Sequence, residues 1–210
     1  MKPIAESTVR RLSHYLRFLE EFEARGQHTI SSGELARLGG TTSAQVRKDL
    51  SAFGSFGKRG LGYTVPDLIN AIRDILGLQK AWNVIIIGAG KIGAALAQFR
   101  GFNERSFKVV GLYDADPAKV GTRLGRVIVR DDDELERDIS ELKPDIAVVC
   151  VPSDAAQAVV DRLVAADIHA ILNFASVPLQ TPDNVTIRDV NMATELEILA
   201  FRLTSGERAD

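Results

Sequence analysis

The chain has 210 residues, 45% hydrophobic and 26% charged, a globular composition with room for one larger domain or two small ones. No apolar run approaches the roughly 20 residues that span a bilayer, and no signal-peptide pattern opens the chain. One cysteine and three scattered histidines exclude an internal disulfide and a histidine metal cluster, so the expected location is the cytoplasm, with no membrane partner and no bound metal.

The formal net charge of −2 is unevenly placed. Residues 1–80 carry 12 Lys and Arg against 8 Asp and Glu, whereas residues 81–210 carry 14 against 20. A basic first part points to an anionic partner. From Ser7 to Ala24, the residues Val9, Leu12, Leu16, Leu19 and Phe22 fall on one helix face, and Gly26 stops the helix. Two capping boxes follow. Ser31 with Glu34 opens a short helix through Leu35 and Leu38 that ends at Gly39-Gly40; Thr42 with Gln45 opens the next. Helix, glycine turn and helix in this compass is the helix-turn-helix plan.

On the second of these helices Val46, Leu50 and Phe53 share a face for the core, while Ala44, Arg47, Lys48 and Ser51 point away. Two cations among small residues suit a major groove, where Arg reads guanine edges and Lys serves bases or phosphates. Gly54 to Val65 then reads as a hairpin with Lys58 and Arg59 at its tip, bracketed by Gly57 and Gly60. Such a hairpin is the wing of a winged helix, and an Arg at its tip suits the negative minor groove. Pro66 interrupts the strand, and Leu68, Ile72, Ile75 and Leu76 form a further helix leading into Gly77. A basic recognition helix with a basic wing favours DNA over the alternative, a protein-docking winged helix.

The second part opens on Val84-Ile85-Ile86-Ile87, a strand buried on both faces, followed by Gly88-Ala89-Gly90-Lys91-Ile92-Gly93. This is the G-x-G-x-x-G fingerprint: Gly88 for the tight turn, Gly90 for approach to a pyrophosphate, Gly93 for close packing of the next helix. An apolar helix carrying Ile92, Leu96 and Phe99 follows, then the strand Val109 to Tyr113. That strand ends in Asp114, whose carboxylate is placed to accept from adenosine ribose hydroxyls and to repel a 2′-phosphate. The run Asp131 to Glu134 reads as a solvated helix start favoured by the helix dipole. Ile146 to Val151 is another buried strand, in which Cys150 is a small buried residue. Pro152-Ser153 ends the strand and caps a helix from Asp154 to Ala166, and Ala170 to Phe174 is the next strand.

In an open parallel sheet, ligands meet the carboxyl ends of the strands. Gly88 to Gly93, Asp114, Val151, Pro152, Asn173 and Phe174 therefore share one rim. His169 lies at the other end of its strand, and apart from Lys91 the rim has no histidine or lysine placed to move a proton. A dehydrogenase needs such a group, so sensing is favoured over turnover and no catalytic residue is assigned. After Val185 to Ile187, the stretch Met192 to Leu203 reads as a helix with Leu196, Leu199, Ala200 and Leu203 on one face, which must dock on its own sheet or on a partner subunit.

The whole resembles the Rex family of redox-sensing transcriptional repressors. The resemblance rests on Ser43 to Leu50 with Phe53-Gly54, the wing Gly57 to Tyr63, and Ile87 to Gly90. It extends to the turn Asp114-Ala115-Asp116-Pro117, Val151-Pro152, Leu172 to Ala175, and Val190-Asn191. It implies a homodimer on a palindromic, double-stranded operator, released by NADH with NAD+ competing. DNA contacts would come from Ala44, Gln45, Arg47, Lys48, Ser51, Lys58, Arg59 and Gly60. The C-terminal helix would be swapped onto the partner subunit, with Met192 approaching the partner's nicotinamide pocket.

Where this chain has Phe99 the family often has Tyr, and where it has Asn191 the family often has Asp. In relatives that Asp chooses between the Tyr and an Arg matching Arg17. The expected fold is α/β: a winged helix-turn-helix domain over 1–80, a Rossmann-like parallel sheet over 81–190, and a dimerisation helix over 191–210. The alternatives left open are an NAD-dependent oxidoreductase with an N-terminal appendage and a coenzyme A or nucleotide-binding scaffold.

Overall fold

The structure, a computed structural model, describes residues 4–54 and 62–206. The chain divides into two compact units, Met1–Lys80 and Ala81–Asp210. The first holds α1 (Glu6–Ala24), β1 (Thr29–Ile30), α2 (Ser32–Leu38), α3 (Ser43–Ser51), β2 (Tyr63–Thr64) and α4 (Val65–Ile75). Its core gathers the inward stripe of α1 (Leu12, Tyr15, Leu16 and Leu19) with Leu35, Val46, Leu50, Leu68 and Ile72. Each such aliphatic side chain contributes about 1.5–3 kcal/mol on burial, so apolar spacing rather than helix propensity holds these short helices in place.

Two local expectations change here, at Thr42 and at Pro66, and one pairing is added. The capping box at Ser31 and Glu34 is complete, but the one at Thr42 is half made. Thr42 Oγ1 accepts from the Gln45 N–H, while the Gln45 amide donates to Asp49 Oδ1 at 2.8 Å instead of reaching back. Pro66 does more than interrupt a strand: it lies in the first turn of α4, where its missing N–H has no helical partner to lose. The described strand partner of Tyr63–Thr64 is β1, antiparallel, with Ile30 opposite Tyr63. Gly62 permits that pairing, since its φ is +78° and a Cβ there would run into the Ile30 carbonyl. The expected wing residues Lys58, Arg59 and Gly60 lie outside the described residues.

The second unit is built on β3 (Trp82–Ile87), β4 (Phe107–Asp114), β5 (Arg123–Leu124), β6 (Val127–Asp131), β7 (Ile146–Val149), β8 (Ala170–Asn173) and β9 (Thr186–Asp189). The strands lie in the order β5-β6-β4-β3-β7-β8-β9. β5 pairs antiparallel with β6, and the other six strands are parallel. Counted along the chain, those six take the doubly wound order 3-2-1-4-5-6, so the direction of winding reverses between β3 and β7. Val84 to Ile87 are all buried, as a central strand covered on both faces requires.

The helices are α5 (Lys91–Ala97), α6 (Arg100–Glu104), α7 (Leu135–Leu142), α8 (Ser153–Ala165) and α9 (Met192–Ser205). Phe99 does not belong to the helix after the glycine loop, although its spacing from Ile92 and Leu96 is helical. The last turn of α5 tightens into i→i−3 hydrogen bonds, Gln98 to Ala95 and Phe99 to Leu96, and the helix stops. Phe99 instead opens α6, more than half exposed, with its ring edge-on to Phe102 at 5.3 Å and folded over Gly101, which has no Cβ to obstruct it. The acidic run is not simply a solvated helix start either. Asp131 caps a 3-10 turn (Asp132–Glu134), and Asp132 and Glu136 hold Arg162 of α8. Asn191 caps α9 through N–H groups of Ala193 and Thr194, and every residue of α9 is exposed. No described helix is long and apolar enough to cross a membrane.

Candidate functional site

At the winding reversal lies a cavity of about 800 Å³. Its floor is the turn after β3 and its far wall is the turn after β7, joined by the hydrogen bond from Cys150 N–H to the Ile87 carbonyl, while Gly88 N–H donates to the Tyr113 carbonyl at the end of β4. The glycines explain how the turns come so close. Gly88 has φ of +99°, and a Cβ there would lie 2.6 Å from the Cys150 carbonyl oxygen. A Cβ on Gly93 would overlap the Gly88 carbonyl, so only glycine lets α5 start against the strand. Gly90 is different: a Cβ there would meet nothing within 4 Å. The protein itself does not require glycine at that position, and the open space faces the cavity that Gly90 lines. This is the fit a bound pyrophosphate demands of the second glycine of the fingerprint.

Asp114 stands at the cavity edge with both carboxylate oxygens engaged. Oδ2 accepts from the Ala89 N–H at 2.7 Å and Oδ1 from the Asp116 N–H at 2.9 Å, while the Lys119 ammonium sits 3.0–3.1 Å from both. Burial pushes the Asp114 carboxyl up, but these donors outweigh it and hold the group below the ordinary carboxylate range. Cys150 lines the wall, and burial pushes its thiol up to about 12, so it is a protonated wall residue rather than a nucleophile. Ile87, Val151, Pro152, Ala155 and Val159 give the cavity an apolar side. Among the described residues, no group of His, Cys, Asp and Glu could hold a metal ion.

Of the rim residues expected from sequence, Gly88, Gly90, Lys91, Ile92, Asp114, Val151 and Pro152 line this cavity. Ala89 and Gly93 support it from beneath, both being buried. Asn173 and Phe174 share the strand ends but not the cavity lining. The Asn173 side chain is buried and ties its own loop, donating to the carbonyls of Ala175 and Val177 and to Asp189 Oδ1 and accepting from the Ala175 N–H. Phe174 packs into the core beside β3. Asp116, Asp132 and Lys119 also line the cavity; the sequence marks Asp116 only as part of a turn, Asp132 only as part of a helix start, and Lys119 not at all. Lys119 lies in the turn five residues after Asp114, a position that by itself does not mark it as a partner of that carboxylate.

In the first unit, α3 turns Ala44, Arg47, Lys48 and Ser51 to solvent and buries Val46 and Leu50. Arg47 Nη1 donates to Ser32 Oγ at 3.1 Å, which holds the guanidinium against the start of α2. Gln45 is half-buried and faces inward. Its amide joins a network around the buried Asp49, which also accepts from Arg11 Nε at 2.6 Å, Arg11 Nη2 at 2.7 Å and the Tyr15 hydroxyl at 3.1 Å. Burial pushes Asp49 up, yet the Arg11 and Gln45 hydrogen bonds hold it below the ordinary range; burial also pushes Tyr15 up to about 12. Arg17 is exposed on α1, its guanidinium 5.4 Å from the centre of the Phe18 ring. Met192 is exposed on α9.

Two family models match the chain: "Putative DNA-binding protein N-terminus" over residues 3–51 and "CoA binding domain" over residues 79–177. A redox-sensing transcriptional repressor Rex from Desulforamulus reducens is 45% identical over 205 residues, 98% of this chain and 98% of that protein. Among solved structures, RSP in complex with beta-NAD+ and operator DNA superposes with a TM-score of 0.92 at 39% identity, covering 98% of this chain and 95% of the other. RSP in complex with beta-NADH gives 0.89 at 38% identity, covering 98% and 97%.

Proposed function

The chain belongs to the Rex family of redox-sensing transcriptional repressors, and from that premise we propose that it holds a palindromic double-stranded operator as a homodimer and leaves it when NADH displaces NAD+. One observation carries the reading. A single chain combines an exposed cationic recognition helix with a glycine-floored cavity at the reversal of a 3-2-1-4-5-6 sheet. It also aligns along 98% of its length with a repressor solved with both nucleotide and operator. Relatives over that length are repressors rather than enzymes. A repressor of this kind works in the cytoplasm.

In this reading residues 1–80 bind DNA, 81–190 bind the dinucleotide and 191–210 join the subunits. Ala44, Arg47, Lys48 and Ser51 meet the major groove with Gln45 steadying them from behind, and Lys58, Arg59 and Gly60 form the wing. The loop from Gly88 to Gly93 holds the pyrophosphate, Asp114 the adenosine ribose, and Val151-Pro152 borders the nicotinamide half. The bound dinucleotide supplies a redox state to be read and undergoes no reaction. Association through α9 is supported by its exposed Met192, Leu196, Ile198, Leu199, Phe201 and Leu203. It is also supported by an apolar groove of about 320 Å³ on the sheet, lined by Val84, Phe102, Phe107, Ile146, Val148 and Leu172 among others. Such a helix laid in such a groove of a second copy buries both apolar surfaces.

A ligand moves an equilibrium only by binding one state better. NADH must therefore favour a dimer whose recognition helices no longer match two half-sites, and Arg17, Phe99, Asn191 and Met192 are the residues we place in that coupling. Phe99 has no hydroxyl and Asn191 is neutral, so packing around Phe99 and Met192 carries the coupling in this chain. The test is a titration of labelled operator with NADH, NAD+ and coenzyme A added separately. NADH should release the operator, NAD+ should oppose that release, and coenzyme A should do neither. Operator binding indifferent to NADH would overturn the proposal, as would steady consumption of NADH.

A further inference from the structure

We infer that Lys119 sets how strongly the adenosine ribose subsite rejects a 2′-phosphate; the inference rests on reading the cavity as an NAD(H) site. A carboxylate offers about four acceptor positions. In Asp114 the N–H groups of Ala89 and Asp116 take one oxygen each, and the Lys119 ammonium lies 3.1 Å from Oδ1 and 3.0 Å from Oδ2. Lys119 also lies 3.7 Å from Asp116 Oδ2, and all three side chains border the cavity. A ribose diol that hydrogen-bonds to Asp114 must therefore take acceptor positions now held by the ammonium.

The displaced ammonium stays beside the ribose, because its four-carbon stem is rooted in the same turn. Two consequences follow. Lys119 competes with the ribose of NADH for Asp114, and it presents a cation where a 2′-phosphate would sit. Asp114 and Asp116 without Lys119 would repel that phosphate through two negative charges; with Lys119 the three groups carry one net negative charge and repel it less. Lys119 is thus a specificity-determining residue that moderates the selection Asp114 makes.

Calorimetric titration with NADH and NADPH separates the possibilities. In Lys119→Gln the preference for NADH over NADPH should rise about tenfold, a change of about one unit charge at contact range in a partly exposed site. In Asp114→Asn the freed Lys119 should shift the preference toward NADPH, and the double variant Asp114→Asn with Lys119→Gln should lose that shift. If Lys119 only fixes the shape of the turn, Lys119→Gln weakens both nucleotides equally and the ratio stays put, which overturns the inference while leaving the site intact. An equal shift toward NADPH in Asp114→Asn with and without Lys119 overturns it too. Failure of the parent protein to bind NADH at all would remove the reading of the cavity itself, a different result from an unchanged ratio.

Discussion

Asp49→Ala should uncouple the recognition helix from the rest of the first unit. The change deletes four hydrogen bonds at once: two from Arg11, one from Gln45 and one from Tyr15. Tyr15 is fully buried, so its hydroxyl is left without a partner at a cost of about 1–3 kcal/mol. Arg11 fares better, because its side chain is 25% exposed and Nη2 also donates to Thr8. Breaking a buried pair typically costs about 3–5 kcal/mol; with one partner able to reach water, the lower end, about 3 kcal/mol, is expected.

Urea unfolding followed by far-UV circular dichroism measures this loss as a midpoint lowered by about 1–3 M, given typical denaturant slopes. The single tryptophan, Trp82, lies on β3, so its fluorescence monitors the second unit in the same samples. NADH affinity should be unchanged and operator affinity should fall, since Gln45 loses its anchor. A dichroism midpoint equal to that of the parent would refute the argument that this network stabilises α3.

The same carboxylate predicts an acid limit. Its folded-state pKa is lowered, so its stabilisation is complete above the ordinary value of about 3.9 and is lost as pH falls through the lower folded value; melts from pH 7 to pH 3 should show a larger acid loss in the parent than in Asp49→Ala, which keeps only the loss from other lowered carboxyls such as Asp114. Gly93→Ala should abolish NADH binding, because the added Cβ collides with the Gly88 carbonyl; calorimetry checks it, and normal affinity would show that the turn yields. Arg47→Ala should weaken operator binding by about 1–3 kcal/mol if it reads a base edge, with relaxed sequence preference; a uniform loss with a shallower salt dependence would mark a phosphate contact instead. Leu199→Glu should turn a dimer into a monomer in sedimentation velocity, and a variant that stays dimeric would remove α9 from the interface.

What could be read from the sequence was short in range. The Ser31–Glu34 capping box needs two side chains three residues apart, and both were visible. Gln45 and Asp49 are four residues apart on α3, where their side chains can meet, but that Asp49 is buried and gripped by Arg11, 38 residues before it, leaves no trace in local spacing. β1 has two residues, too few for any periodicity, and its partner lies beyond two helices. In the cavity, the glycines and Asp114 stood out because the fingerprint fixes their spacing. Lys119 did not, because any lysine in a turn reads as solvated until the carboxylate it grips is known. Asn173 was assigned to the cavity by its place at a strand end; which way its amide turned was decided by the loop from Ala175 to Val177 and by Asp189.

The ends of the large sheet bear on how this protein can associate. β5, at one margin, has two residues, and β9, at the other, has four, two of them Arg188 and Asp189. Short, charged margins are poor templates for adding strands from another molecule, which is how open sheets grow into fibres. Backbone pairing, which can repeat without end, is thereby disfavoured, and the association proposed through α9 would rest on side-chain packing instead. A contact of that kind closes after two copies when it is symmetric. Replacing the charges of β9 with valine and isoleucine would test this directly, with polymer formation, read by light scattering, as the expected result.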